Sequence, residues 1–140
     1  VDPVAGELTY GLERLCMYVQ GVNNVFDLRF NNAGVSYGDV FLENERQQSA
    51  ANFHGFDVAM LQRPFVALAT AVRRLLGQTG PQGQTLVLPA YDRVLKASHL
   101  FNLMDARGAI SVAERQSYIG RIRDLCKACA EAWVKQQEAA

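Results

Sequence analysis

Residues Leu88–Leu125 read "LPAYDRVLKASHLFNLMDARGAISVAERQSYIGRIRDL". Tyr91, Val94, Leu95, Leu100, Phe101 and Leu103 recur at helical spacing, which predicts an amphipathic helix opened by Leu88-Pro89. Gly108 ends it. Ser111 with Glu114 then forms a capping box for a second helix. Val112, Tyr118, Ile119, Ile122, Leu125, Cys126, Cys129 and Trp133 are the apolar positions of that helix. Two long helices joined by a short loop are expected to pack against each other, so the chain is mainly α.

Reading upstream adds further helices. Asp57 can cap a helix bearing Met60, Leu61, Phe65, Leu68, Val72, Leu75 and Leu76, with Pro64 expected to kink or restart it. "GQTGPQGQT" (Gly77–Thr85) reads as a flexible polar surface linker. Ser36, with Asp39 three residues later, can cap a helix through "YGDVFLENERQQSAANF". "VNNVFDLRF" is ambiguous between a turn and a short extended or helical piece. Leu12, Leu15, Cys16 and Val19 predict a helix to about Gln20, with Gly21 as its C-cap. Before it, Gly6–Tyr10 alternates apolar and polar residues and reads as a short strand. The polar tail is expected to fray. One strand and then about five helices is the resulting expectation.

Composition excludes several classes. In 140 residues, 49% are hydrophobic and 20% charged, and 14 basic side chains balance 14 acidic ones. That suits one ordinary globular domain with no global field toward nucleic acid or an anionic membrane. No apolar run approaches the roughly 20 residues of a membrane span. No basic-then-apolar stretch marks a signal peptide. The sequence begins at Val1 rather than Met, and a lone strand cannot form a sheet. It is therefore expected to be a piece of a larger chain. Cys16, Cys126 and Cys129 are too few for a disulfide scaffold. The Cys126/Cys129 pair is expected to pack as small apolar residues, with metal or redox use as the alternative. No GxxxxGK loop is present, which argues against an independent nucleotide-binding domain.

A strand ending in glycine before "GLER" resembles motif 3 of the class II aminoacyl-tRNA synthetases. More of the chain agrees. "GELTYGLERLCMYVQGV", "YGDVFLENE" and the long Leu88–Leu125 stretch resemble, in the same order, the α chain of the bacterial-type heterotetrameric glycyl-tRNA synthetase. The resemblance runs from Val4 to Trp133 and departs most between Asp57 and Leu86. It implies one short strand plus helix from a class II catalytic core (residues 1–21), followed by a C-terminal helical bundle-like domain (22–140).

It also implies an activity: glycine and ATP give glycyl-adenylate and pyrophosphate, and glycine then passes to its tRNA. Arg14 matches the motif 3 arginine, expected to lie on adenine and reach the γ-phosphate; a guanidinium both stacks and donates in a fork. Gly11 would permit close approach of the nucleotide, and Glu13 would orient the arginine or nearby backbone. Glu7 and Thr9 share one face of the expected strand. By resemblance, Glu7 receives the substrate ammonium and Thr9 lines the glycine pocket.

ATP with Mg2+ is implied as substrate in the intact enzyme, and no protein-held metal is expected. A β chain, glycine tRNA and an α–α homodimer are the implied partners, with a bacterial cytoplasm or an organelle as the location. The isolated piece is expected to be inactive, because an adenylate site needs groups from several strands. A helical protein-interaction module without catalysis is the alternative. Three further features carry two readings each. Asp105 and Arg107 of "DARG" are expected to pair locally, with β-chain or tRNA contact as the other reading. Arg115, Arg121 and Arg123 form a solvated face or a phosphate contact. His99 is expected to be a buried or half-buried histidine rather than a base.

Overall fold

The structure, a computed structural model, describes residues 4–138. Five α-helices follow in order: α1 (Leu12–Gln20), α2 (Tyr37–Ala50), α3 (Val58–Leu76), α4 (Val87–Ala106) and α5 (Val112–Glu138). A 3-10 turn, Val25–Asp27, separates α1 from α2, and one π turn, Ala51–Gly55, follows α2. The chain forms two compact units, Val1–Ala51 and Asn52–Ala140.

The helical character agrees with the sequence, but the strand does not form. Among the described residues there is no strand or sheet, so the strand-plus-helix core expected at the N-terminus is corrected to a helix alone. Residues 6–10 have no neighbouring strand to take up their main-chain groups, and alternation by itself cannot supply one. Leu8 and Tyr10, the apolar half of that alternation, stay 90% and 75% exposed. The extended pairing that exists is limited to isolated bridges, Arg29 with Ser36 and Thr79 with Thr85.

In the second unit, α3, α4 and α5 enclose two apolar clusters. Ala69, Val72, Val87, Ala90, Val94, Leu125 and Cys129 form one. Leu61, Phe65, Ala97, Phe101 and Met104 form the other, with Tyr118, Ile119 and Ile122 packed against it. Alanines 69, 90 and 97 are buried at the contact faces, where small side chains let helices approach closely. Helix α3 starts at an Asp57 cap, whose carboxylate accepts from the Met60 N–H at 2.8 Å. It is one element through Pro64 and does not restart there. Burial of Leu61 and Phe65 on either side favours continuity over the proline's local cost. The glycine-rich stretch before α4 is a built turn rather than a free linker. Gly80 N–H donates to the Gln84 carbonyl at 2.8 Å, and the Gln84 side chain accepts from Gln82 N–H at 2.9 Å.

The predicted Ser111/Glu114 capping box forms, and the predicted Ser36 cap forms as a full box with Asp39. Ser36 accepts from Asp39 N–H at 3.0 Å while the Asp39 carboxylate accepts from Ser36 N–H at 2.8 Å. Ser111 and Glu114 repeat this at 3.2 Å and 2.8 Å. Bonds from the Ser111 main chain and hydroxyl hold the Glu114 carboxyl below the usual glutamate range. A depressed folded pKa contributes stability above the unfolded pKa, and that contribution is lost as pH falls through the folded value. The stability gap between wild type and Glu114→Gln should therefore be open near neutrality and close in acid, as read from urea midpoints across a pH series. A gap that stays constant with pH would show that the carboxylate's charge is irrelevant to the box.

Candidate functional site

The sequence-predicted site residues all lie in the first unit, around α1. Gly11 is the N-cap of that helix, extended at φ −78° and ψ 122°, and no side chain caps it. A Cβ built on Gly11 would meet only Arg14 Cγ, at 4.0 Å, so nothing in its own chain demands glycine there. Thr9 donates its hydroxyl to the Glu7 carboxylate, which brings these two together even without a strand. Both side chains are exposed. An ionised carboxylate has about four acceptor positions, so the threonine leaves Glu7 able to take an ammonium as well.

Glu13 and Arg14 part company. Successive residues on a helix do not face each other. Arg14 lines a groove of about 540 Å3 with Met17, Tyr18, Gly21, Val22 and Asn23. Glu13 lines a different one, about 370 Å3, whose apolar wall includes Leu12, Leu28, Phe30, Tyr37 and Phe41. No ion pair joins the two residues, and among the described residues Arg14 has neither an ion-pair nor a hydrogen-bond partner. Partial burial, then the nearby carboxylates of Glu13 and Glu45, raise the Tyr37 phenol above its ordinary value. The negative charge of Glu13 is thus turned toward Tyr37, leaving the Arg14 guanidinium unneutralised on its own side.

Hydrogen bonds fasten the C-terminal end of α1. The Gln20 carboxamide accepts from Arg29 N–H at 2.9 Å and donates to the Arg29 carbonyl at 3.1 Å. Gly21 ends the helix in the left-handed region (φ 65°), where its N–H reaches the Tyr18 carbonyl and that of Val22 reaches Met17. Arg29 belongs to a tight reversal: Phe30 N–H donates to Val35 at 2.8 Å and Tyr37 N–H to Leu28 at 2.7 Å. Phe26, Phe30, Tyr37 and Phe41 cluster there, the closest pair being Tyr37 and Phe41 with ring centroids 4.5 Å apart. Gly38 is needed in this cluster, since a Cβ would stand 2.9 Å from the Phe26 carbonyl oxygen. Sequence reading passed over Gln20 and Tyr37. A glutamine bonding nine residues downstream leaves no local pattern, whereas Tyr37 carries a weak signal as an aromatic beside Phe41 at helical spacing.

In the second unit several readings change. Asp105 does not pair with Arg107. It accepts from Nε of Arg115 at 3.1 Å and 3.0 Å through its two oxygens, while Arg107 donates to the Phe56 carbonyl. The "DARG" loop thus ties α4 to α5 and to the segment preceding α3. Arg121 lies over the Phe65 ring, 4.6 Å from its centroid, and 5.5 Å from that of Tyr118. Of the three arginines on α5, Arg121 therefore serves packing, Arg115 holds Asp105 in an exposed ion pair, and Arg123 is exposed. His99 is exposed, not half-buried, in a shallow groove with Leu95, Lys96 and Leu100. Cys129 is buried in the core and Cys126 packs against it, in line with the packing reading. Burial, with Cys126 beside it, raises the Cys129 thiol. Among the described residues no group of three or more His, Cys, Asp or Glu side chains gathers into a candidate metal centre. Nor is any helix there long and apolar enough to cross a membrane. A family model described as glycyl-tRNA synthetase alpha subunit matches residues 1–138.

Proposed function

The chain belongs to the glycyl-tRNA synthetase alpha subunit family, and from that premise we propose that it activates glycine with ATP and charges glycine tRNA. In the first step a glycine carboxylate oxygen bonds to the α-phosphorus of ATP, the bond to the bridging oxygen breaks, and pyrophosphate leaves. In the second, a hydroxyl at the 3′ end of the tRNA attacks the glycyl carbonyl and AMP leaves. Arg14 stacks on adenine and offsets phosphate charge as it builds, a role suited to a planar cation in a secluded cleft. Gly11 keeps the approach to the nucleotide clear. Glu13 orients the start of α1 from the opposite groove. Glu7 receives the glycine ammonium, and Thr9, already bonded to it, lines the small pocket.

The observation that carries this reading is the family match over nearly the whole chain, joined to a free Arg14 at the start of α1. Mg2+ accompanies ATP as part of the substrate, and the proposal gives the described residues no step that a protein-held metal would perform. A β chain supplies tRNA recognition, two α chains pair in the assembled enzyme, and the whole works in a bacterial cytoplasm or an organelle. The test is charging. The full-length chain with its β partner should transfer labelled glycine to the 3′ end of glycine tRNA, and to no other tRNA. Failure to charge that tRNA, with both chains folded and assembled, would overturn the proposal.

A further inference from the structure

Helix α1 carries Arg14 yet buries none of its nine residues. Its apolar contacts are partial, Met17 half-buried and Leu12 and Cys16 along the groove of Phe30 and Tyr37, so close packing alone does not fix its rotation. Besides Glu13 beside Tyr37 near its start, the helix is held by a pair of hydrogen bonds at its last residue. The Gln20 carboxamide takes the N–H of Arg29 at 2.9 Å and gives to its carbonyl at 3.1 Å. Two bonds from one planar group to one residue's main chain fix rotation as well as distance, which a single bond cannot do. Arg29 is itself held, because the residues flanking it, Leu28 and Phe30, bond across the reversal to Tyr37 and Val35. Ser36, bridged to Arg29, caps α2. Gln20 thus couples the C-terminal end of α1 to the reversal that leads into α2.

We propose that Gln20 is a positioning residue for Arg14. It touches no substrate and acts by fixing the rotation of α1, so that Arg14 faces its own groove and Glu13 the other. The two residues are six positions apart, about 9 Å along the axis. A small rotation released at Gln20 therefore moves the long Arg14 side chain by an ångström or more. The proposal rests on the reading that Arg14 meets ATP.

The experiment separates the two. In the full-length chain assembled with its β partner, glycine-dependent ATP–pyrophosphate exchange is measured for Gln20→Met, Gln20→Glu, Arg14→Ala and the Gln20→Met/Arg14→Ala double variant. Gln20→Met removes both hydrogen bonds while keeping length and helix propensity. It should raise the KM for ATP by about ten-fold, the scale of a sub-ångström to ångström misplacement. The KM for glycine should stay near wild type. Gln20→Glu keeps the acceptor but loses the donor, and should also raise the KM for ATP; it supplies the reading if Gln20→Met does not fold. Added to Arg14→Ala, the Gln20→Met change should cost nothing further, because a residue that acts only through Arg14 has no effect once Arg14 is gone. An unchanged KM for ATP in the Gln20 variants, or losses that multiply in the double variant, would overturn the positioning role while leaving Arg14 in place. An unchanged kcat/KM for ATP in Arg14→Ala would remove both.

Discussion

Arg14→Ala should lower kcat/KM for glycine-dependent pyrophosphate exchange by about 10²–10³-fold, the usual cost of removing one group aimed at charge that develops in the transition state. The argument begins with what Arg14 lacks. Among the described residues it has no carboxylate partner, because its sequence neighbour Glu13 lies in a different groove beside Tyr37. An unneutralised guanidinium at the start of a helix is available to phosphate. Stability should barely move, by no more than about 0.5 kcal/mol, because an exposed side chain without partners contributes little to folding. Arg14→Lys should recover only part of the loss, since an ammonium keeps the charge but neither stacks nor donates in a fork. Equal exchange rates for wild type and Arg14→Ala would remove Arg14 from the site.

Phe65→Ala should act in the opposite manner, on stability and not directly on chemistry. The ring is fully buried, at 0% exposure, among Leu61, Ala97, Phe101 and Met104. Tyr118 meets it edge-on with centroids 4.7 Å apart, and Arg121 covers it from α5. Truncation removes the transfer free energy of the ring and leaves a cavity that three packed helices cannot readily close. The expected loss is about 3–5 kcal/mol. Against a typical total of about 5–15 kcal/mol, that is a large fraction. The urea midpoint should fall with little change in slope, which identifies a stability change in an intact fold. Phe65→Leu should lose less. A Phe65→Ala midpoint equal to wild type would mean that this ring does not support the α3–α5 packing.

Much of this architecture is local and was therefore readable. The Ser36/Asp39 and Ser111/Glu114 boxes are written within four residues each, and both form. The apolar stripe through Val94 and Phe101 marks the buried face of α4. What was not readable depends on partners distant in sequence. Residues 6–10 alternate like a strand, but no local pattern provides the neighbour that a strand requires. Pro64 predicts a kink or a restart because proline's cost is local, whereas the burial that keeps α3 one element comes from other helices. Asp105 chose Arg115 over the nearer Arg107 because the turn from α4 into α5 presents Arg115 to it. "VNNVFDLRF" resolved through one side chain: Asn24 accepts from Phe26 N–H at 3.1 Å and starts a 3-10 turn.

The candidate site divides the same way. Arg14 and Gly11 are read from the "GLER" motif and Glu7 and Thr9 from the resemblance; the folded chain bonds Thr9 to Glu7 without the strand on which they were expected to share a face. That Glu13 and Arg14 serve different grooves follows from helix geometry and was open to inference. The Gln20 clamp on Arg29 was not, since it depends on a chain reversal that only the folded unit supplies.

Pyrophosphate exchange tests the central claim most directly. With the full-length chain and its β partner, labelled pyrophosphate should enter ATP when glycine is present, and should not do so with alanine or with no amino acid. Exchange that ignores glycine, or none at all from a folded assembly, would contradict the assignment of glycine activation to this chain.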